Sequence, residues 1–135
     1  MEILLTQIKI LMKTVVVVDD SVFTRGLIKM ALKKEGYEVI GEAGDGKTAI
    51  EMCMSRKPDF VTLDNILPDM FGVEILQSLI EHDLKSKIIM ISAVTNEKII
   101  QKVKKIGASG YLIKPFDPKS LLTVLGHLTS EVAAA

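Results

Sequence analysis

Asp64 ends the apolar run Phe60-Val61-Thr62-Leu63 and opens the segment Asp64-Asn65-Ile66-Leu67-Pro68-Asp69-Met70-Phe71-Gly72. Two other apolar runs also end in charge: Val15-Val16-Val17-Val18 in Asp19-Asp20, and Gly110-Tyr111-Leu112-Ile113 in Lys114-Pro115. Open α/β sheets place their chemistry outside the carboxyl edge of the strands. If these three strands are parallel neighbours, three carboxylates and one amine converge there. Carboxylates so close raise one another's pKa unless a cation joins them. No thiolate or imidazole is nearby, so the donors are hard oxygens. These suit Mg²⁺, completed by a backbone carbonyl, waters and a phosphate oxygen. Ser92 follows the run Ile88 to Ile91 and adds a hydroxyl at the same edge. An aspartate beside a divalent cation, an amine and a hydroxyl is equipped to attack phosphorus. Taken alone, an Asp pair after a strand is often a turn or helix cap, and Lys114 a solvated lysine. Their common register favours a site.

Short apolar runs alternate with longer segments of helical period, the βαβ pattern of a parallel sheet. Strands are expected at 15–18, 60–63, 88–91 and 111–113, nearly continuous in Val, Ile, Leu and Met, as strands buried on both faces must be. The mixed segment 37–43 suits an edge strand. Ser21 is placed to cap a first helix with Phe23, Leu27 and Ala31 on its inner face, and Gly36 follows its end. Gly46 to Met54 forms a second helix, stopped before Pro58. Val73 to Glu81 forms a third, with Val73, Leu76 and Ile80 inward. Thr95 or Asn96 caps a fourth, with Ile99, Val103 and Ile106 inward and Lys98, Lys102, Lys104 and Lys105 outward. Asp117 and Pro118 open a fifth, through Leu121, Leu125 and Leu128. One domain spans 13–129. Residues 1–12 form an N-terminal extension, either a short docking helix built on Ile3, Leu4, Ile8 and Leu11 or extra residues from an upstream start. Residues 130–135 form a C-terminal tail.

The 135 residues suffice for one domain with a sizeable core. Basic and acidic residues number 17 each, so there is no electrostatic case for nucleic acid, which needs a basic surface. Cys53 is the only cysteine, which excludes an intrachain disulfide and a thiolate zinc cluster; it reads as a buried small hydrophobe. His82 and His127 share no ligand spacing and read as solvated helix residues. No stretch reaches the roughly 18 apolar residues of a membrane span. The start, Met1-Glu2-Ile3-Leu4-Leu5, carries an acid and lacks a basic n-region, unlike a signal peptide. The default compartment is the cytoplasm.

These motifs resemble the receiver domain of two-component response regulators over residues 13–129, most closely its stand-alone, CheY-like chemotaxis type. Val17-Val18-Asp19-Asp20-Ser21 is similar to the family's acidic pair after the first strand, with Arg25 completing Asp-Asp-Ser-x-x-x-Arg. Asp64 through Gly72 is similar to its phosphoacceptor loop, Asp-x-x-x-Pro-x-x-x-Gly. Ser92-Ala93 is similar to its Ser/Thr-Ala switch dipeptide, and Gly107 to Tyr111 with Lys114-Pro115-Phe116 to its fifth strand. Each motif alone is weak; together, in order and at receiver spacing, they are specific.

The resemblance implies a flavodoxin-like, doubly wound (βα)5 sandwich of the α/β class with parallel sheet order 2-1-3-4-5. It implies that Asp64 accepts a phosphoryl group from a phosphohistidine. Asp20, Asp64 and the backbone carbonyl of Ile66 would bind Mg²⁺, with Asp19 assisting through water. Lys114 would contact the phosphoryl group. Ser92 would turn inward to bond it while Tyr111 moves from an exposed to a buried rotamer. The Lys114-Pro115 bond is expected to be cis. Leu67 stands where methionine is usual, and Asn65 where a β-branched residue is. Ile66 and Val94, two residues after Asp64 and Ser92, are apolar where an attacking water must pass.

The same resemblance implies a monomeric signalling protein that catalyses only its own phosphorylation and dephosphorylation, with no nucleic-acid or membrane partner. As a chemotaxis regulator it would take phosphate from a CheA-like histidine kinase. It would then present its fourth helix, fifth strand and fifth helix to a flagellar motor switch protein. As a phosphorelay intermediate it would pass phosphate from the same site to a histidine phosphotransfer protein. A phosphohydrolase of the haloacid dehalogenase type is the remote alternative. That family wants Asp-x-Asp after the first strand, and here Ser21 takes the second carboxylate's place.

Overall fold

Each apolar run becomes a strand and each periodic segment a helix. In chain order these are β1 (Thr14–Val18), α1 (Val22–Lys34), β2 (Glu38–Ala43), α2 (Gly46–Arg56), β3 (Phe60–Asp64), α3 (Gly72–Glu81), β4 (Lys87–Ser92), α4 (Glu97–Ile106), β5 (Gly110–Ile113) and α5 (Pro118–Ala134). They are drawn from a computed structural model that describes Leu4 and residues 13–134, with side chains as far as Thr129. The expected N-terminal extension otherwise lies outside the described residues. α5 runs to Ala134, through residues that the sequence assigns to a tail.

The sheet is parallel throughout, in the order β2-β1-β3-β4-β5. This is the doubly wound, flavodoxin-like arrangement the motifs imply. Alternate residues of the central strands feed two cores. Val16, Val18, Val61, Leu63, Ile88 and Met90 face α2, α3 and α4. Val15, Val17, Phe60, Ile89 and Ile91 face α1 and α5. The mixed strand β2 lies at the edge, as its composition requires. The winding reverses beside β1 and β3, so a crevice opens at their carboxyl ends.

The helix boundaries follow their punctuation. Ser21 Oγ accepts the Thr24 N–H at 3.2 Å, and Asn96 rather than Thr95 caps α4. Asp117 accepts the Ser120 N–H at 2.8 Å. Gly36, with φ of 94°, turns the chain after α1 in a conformation few side chains tolerate. Helix phase is less faithful to expectation. On α1 the buried residues are Ile28 and Leu32, while Phe23 is 75% exposed and Leu27 45%. On α4, Ile100 and Val103 are buried and Ile99 is exposed; on α3, Ile75, Leu76 and Leu79 are buried and Ile80 is exposed. Each helix carries adjacent apolar stripes, and packing against the sheet selects between them. The lysines of α4 face solvent, as expected.

Cys53 is fully buried, and burial pushes its thiol up to about 12, so it serves as an apolar side chain. His82 and His127 are exposed on or beside helices. Thr62, at the centre of β3, is fully buried, and its hydroxyl has no hydrogen-bond partner among the described residues. A buried hydroxyl without a partner is costly, and an apolar group of the same shape removes the penalty. Thr62→Val is therefore expected to raise unfolding stability by about 1 kcal/mol in urea titrations. A fall in stability would show that the hydroxyl is satisfied.

Candidate functional site

β1 and β3 lie side by side, with Val18 paired to Leu63, so the residues that follow meet at the sheet edge. Asp19 is 1% exposed, Asp64 6%, and Asp20 lies in the open. One oxygen from each of the three carboxylates falls within 4.8 Å of the others. Lys114, delivered by β5, sets its Nζ 2.8 Å from Asp64 Oδ1 and 3.7 Å from Asp19 Oδ2. The sheet thus brings all four groups together as the sequence requires. A cleft of about 230 Å³ opens on Asp20, Asp64, Asn65, Ile66, Ser92, Ala93, Val94 and Lys114.

The backbone around the acids is held in detail. Asp19 donates its N–H to the Ala43 carbonyl at 3.0 Å, and its Oδ1 accepts the Ser21 N–H at 2.8 Å. Arg25 donates to the Asp19 carbonyl at 2.5 Å and pairs with Glu42, which also takes Lys29. This gives Arg25 a structural reason that its place in the motif does not reveal. Both hydrogen bonds to the Asp64 carboxylate, from the Asn65 N–H at 2.9 Å and from Lys114, fall on Oδ1. At the loop's far end, a Cβ on Gly72 would sit 2.3 Å from the Asp64 carbonyl oxygen. Only glycine lets α3 start that close, which accounts for the last position of the motif. The Lys114–Pro115 peptide is cis, as expected.

Ser92 and Tyr111 are joined through one residue. Ser92 Oγ accepts the Val94 N–H at 3.1 Å, and the Tyr111 hydroxyl donates to the Val94 carbonyl at 2.9 Å. Ser92 is buried on the cleft wall and Tyr111 is half-buried. Ile66, 62% exposed, and Val94 both line the cleft.

Electrostatics separate the groups. Burial pushes the Asp19 carboxyl above its ordinary value of 3.8; the Ser21 N–H opposes this, and the Asp64 charge adds to it. Burial pulls the Lys114 ammonium down, but its bond to Asp64 and the charges of Asp64 and Asp19 outweigh that and hold it above 10.5. Asp19 Oδ2 is buried without a hydrogen-bond partner among the described residues. A cation between the three carboxylates would satisfy it. The all-oxygen donor set and an excess of negative charge fit a hard divalent ion. Among the described residues these three acids are the one cluster with such geometry.

A group whose folded pKa lies above its unfolded one binds its proton more tightly when folded. Its effect is a loss of stability as pH rises from the unfolded to the folded pKa. In metal-free protein, Asp19→Asn is therefore expected to gain about 1 kcal/mol at neutral pH. The gain should shrink as pH falls below the raised Asp19 pKa toward 3.8. Unfolding curves across this range check it; a gain that does not vary with pH contradicts it.

The response regulator receiver domain profile matches residues 15–126. The chemotaxis protein CheY of Thermotoga maritima is 36% identical over 117 residues, covering 87% of this chain and 98% of its own. Protein CcdB of Bacillus subtilis is 34% identical over 120 residues, covering 86% of this chain and all of its own. A crystal structure of a CheX–CheY–BeF3–Mg²⁺ complex from Borrelia burgdorferi superposes with a TM-score of 0.83 at 32% identity, covering 86% of this chain and 88% of that one. With its sheet order, its acidic cleft and these relatives, the chain belongs to the response regulator receiver domain family.

Proposed function

We propose that this receiver accepts a phosphoryl group on Asp64 from the phosphohistidine of a histidine kinase, with Mg²⁺ in the acidic cleft. The observation that carries this reading is the Asp64 carboxylate itself. Lys114 and the Asn65 N–H hold Oδ1, while Oδ2 accepts no bond among the described residues and is the oxygen available to phosphorus. Asp64 attacks as the P–N bond breaks, and the imidazole leaves and takes up a proton. Lys114 then moves its ammonium to a phosphoryl oxygen. Asp20, Asp64 and the Ile66 carbonyl are the direct ligands in this reading, with Asp19 acting through water. The bound cation supplies charge neutralisation for the phosphoryl oxygens. The acceptor is the chain's own carboxylate, so the product of this reaction is the modified protein.

Ser92 turns toward the new phosphoryl group and releases the Val94 N–H; the Val94 carbonyl then moves relative to Tyr111, and the phosphorylated conformer gains population. The readout is the face of α4, β5 and α5, where Ile99 and Ile113 stand exposed among lysines. The kinship with CheY of Thermotoga maritima supports chemotaxis, with a CheA-like kinase upstream and a flagellar motor switch protein downstream, in the cytoplasm. The Borrelia relative was crystallised with Mg²⁺, BeF3 and CheX, which supports the metal and the phosphoryl site. The phosphorelay alternative rests on a different observation: Val22, Phe23, Leu27 and Met30 expose an apolar stripe on α1, beside the cleft. A histidine-bearing helix that reached Asp64 across that rim would bury it.

Incubation with Mg²⁺ and acetyl phosphate is expected to add one phosphoryl mass to the wild type and none to Asp64→Asn. Equal labelling of the two rejects Asp64 as the acceptor. Ile66→Asn places a polar group beside the water's path. It is expected to shorten the phosphoryl lifetime about fivefold, the rate equivalent of one net hydrogen bond of about 1 kcal/mol. Identical decay of the two phosphoproteins contradicts this role.

A further inference from the structure

The loop that carries Asp64 is held at its tip by a helix from elsewhere in the chain. Asp69 accepts the Gly46 N–H on Oδ1 at 2.7 Å and the Lys47 N–H on Oδ2 at 3.0 Å. A residue between β3 and α3 therefore caps α2. The residue that precedes α2, Asp45, accepts the Thr48 N–H at 2.8 Å. Two aspartates thus divide the first three amides of α2, groups that no turn of the helix satisfies. Met70 lies over the same point: a Cβ on Gly46 would come within 2.6 Å of its sulfur.

The base of the loop is fixed separately. Gly72 donates its N–H to the Asn65 carbonyl at 2.6 Å, Ile66 and Phe71 form an antiparallel bridge, and the Leu67 N–H bonds the Met70 carbonyl at 3.1 Å. Ile66 belongs to the base, through its bridge to Phe71, and stands three residues before the tip at Asp69. Its carbonyl is the one main-chain ligand in the proposed metal site. A carbonyl on a loop fixed only at its base would swing. One fixed at base and tip stays in register with the carboxylates. The two amides also hold the Asp69 carboxyl below the ordinary range, so the clamp keeps its charge at neutral pH.

We propose that Asp69 is a positioning residue for the divalent cation: by tying the loop tip to the N-terminus of α2 it holds the Ile66 carbonyl at the cleft. This rests on the metal-site reading given above.

The pair Asp69→Ala and Asp45→Ala tests it, because each removes a cap of α2 but only the first releases the loop. Both variants are expected to lose thermal stability to a similar degree. By calorimetry, the Mg²⁺ dissociation constant is expected to rise about tenfold in Asp69→Ala and to stay at the wild-type value in Asp45→Ala. Asp69→Asn keeps one acceptor oxygen and should fall between. In metal-free protein, amide exchange at Leu67 and Gly72 should accelerate in Asp69→Ala alone. Equal Mg²⁺ affinity in Asp69→Ala and Asp45→Ala, or in Asp69→Asn and wild type, overturns the clamp and leaves the metal site standing. Wild-type protein that binds no Mg²⁺ overturns the metal site and the clamp together.

Discussion

Lys114 is the one cation among the described residues that pairs with the clustered carboxylates, reaching Asp19 and Asp64, and it does not neutralise all three. Three formal negative charges face one positive, two of the acids are buried, and Asp19 Oδ2 has no hydrogen-bond partner among the described residues. Such an arrangement is held against its own repulsion by everything around it. The dry parallel sheet fixes where β1, β3 and β5 end. Arg25 and Ala43 fix the Asp19 backbone from two sides. Gly72 allows α3 to start against the Asp64 peptide. The residual charge is what a divalent cation would match.

The same cleft is wired outward through very few atoms. Val94 offers its N–H to Ser92 and its carbonyl to Tyr111, so a single residue, with its two adjacent peptide planes, links the two side chains. A displacement of Ser92 need not travel through the core to reach β5. The link between them is the φ and ψ of Val94 alone. The core itself is packed on both sides of the sheet.

The sequence carried the strands, the caps and the acidic cluster because each is written locally. A run of β-branched residues bounded by charge is legible without knowing its neighbours. So is Asp117 before Pro118. Helix phase was less legible. Phe23 and Leu27 form as good a stripe as Ile28 and Leu32, and only the packing of α1 against α5 and the sheet decides which is buried. The contacts of Arg25 and Asp69 were invisible for a different reason. Both are hydrogen bonds to main-chain groups across elements, and a backbone partner leaves no mark in the sequence. The burial of Thr62 without a partner had no signal either, since threonine suits a strand whether or not its hydroxyl is bonded.

The cleft gathers more negative charge than Lys114 neutralises. The thermal unfolding midpoint across a Mg²⁺ titration measures that most directly. A ligand bound only by the folded state adds RT ln(1 + [L]/Kd), about 2.7 kcal/mol at a hundredfold excess over Kd. The wild-type midpoint is expected to climb with Mg²⁺, and that of Asp64→Ala to stay flat. A flat wild-type response, or an equal climb in Asp64→Ala, contradicts a divalent-cation site at Asp64.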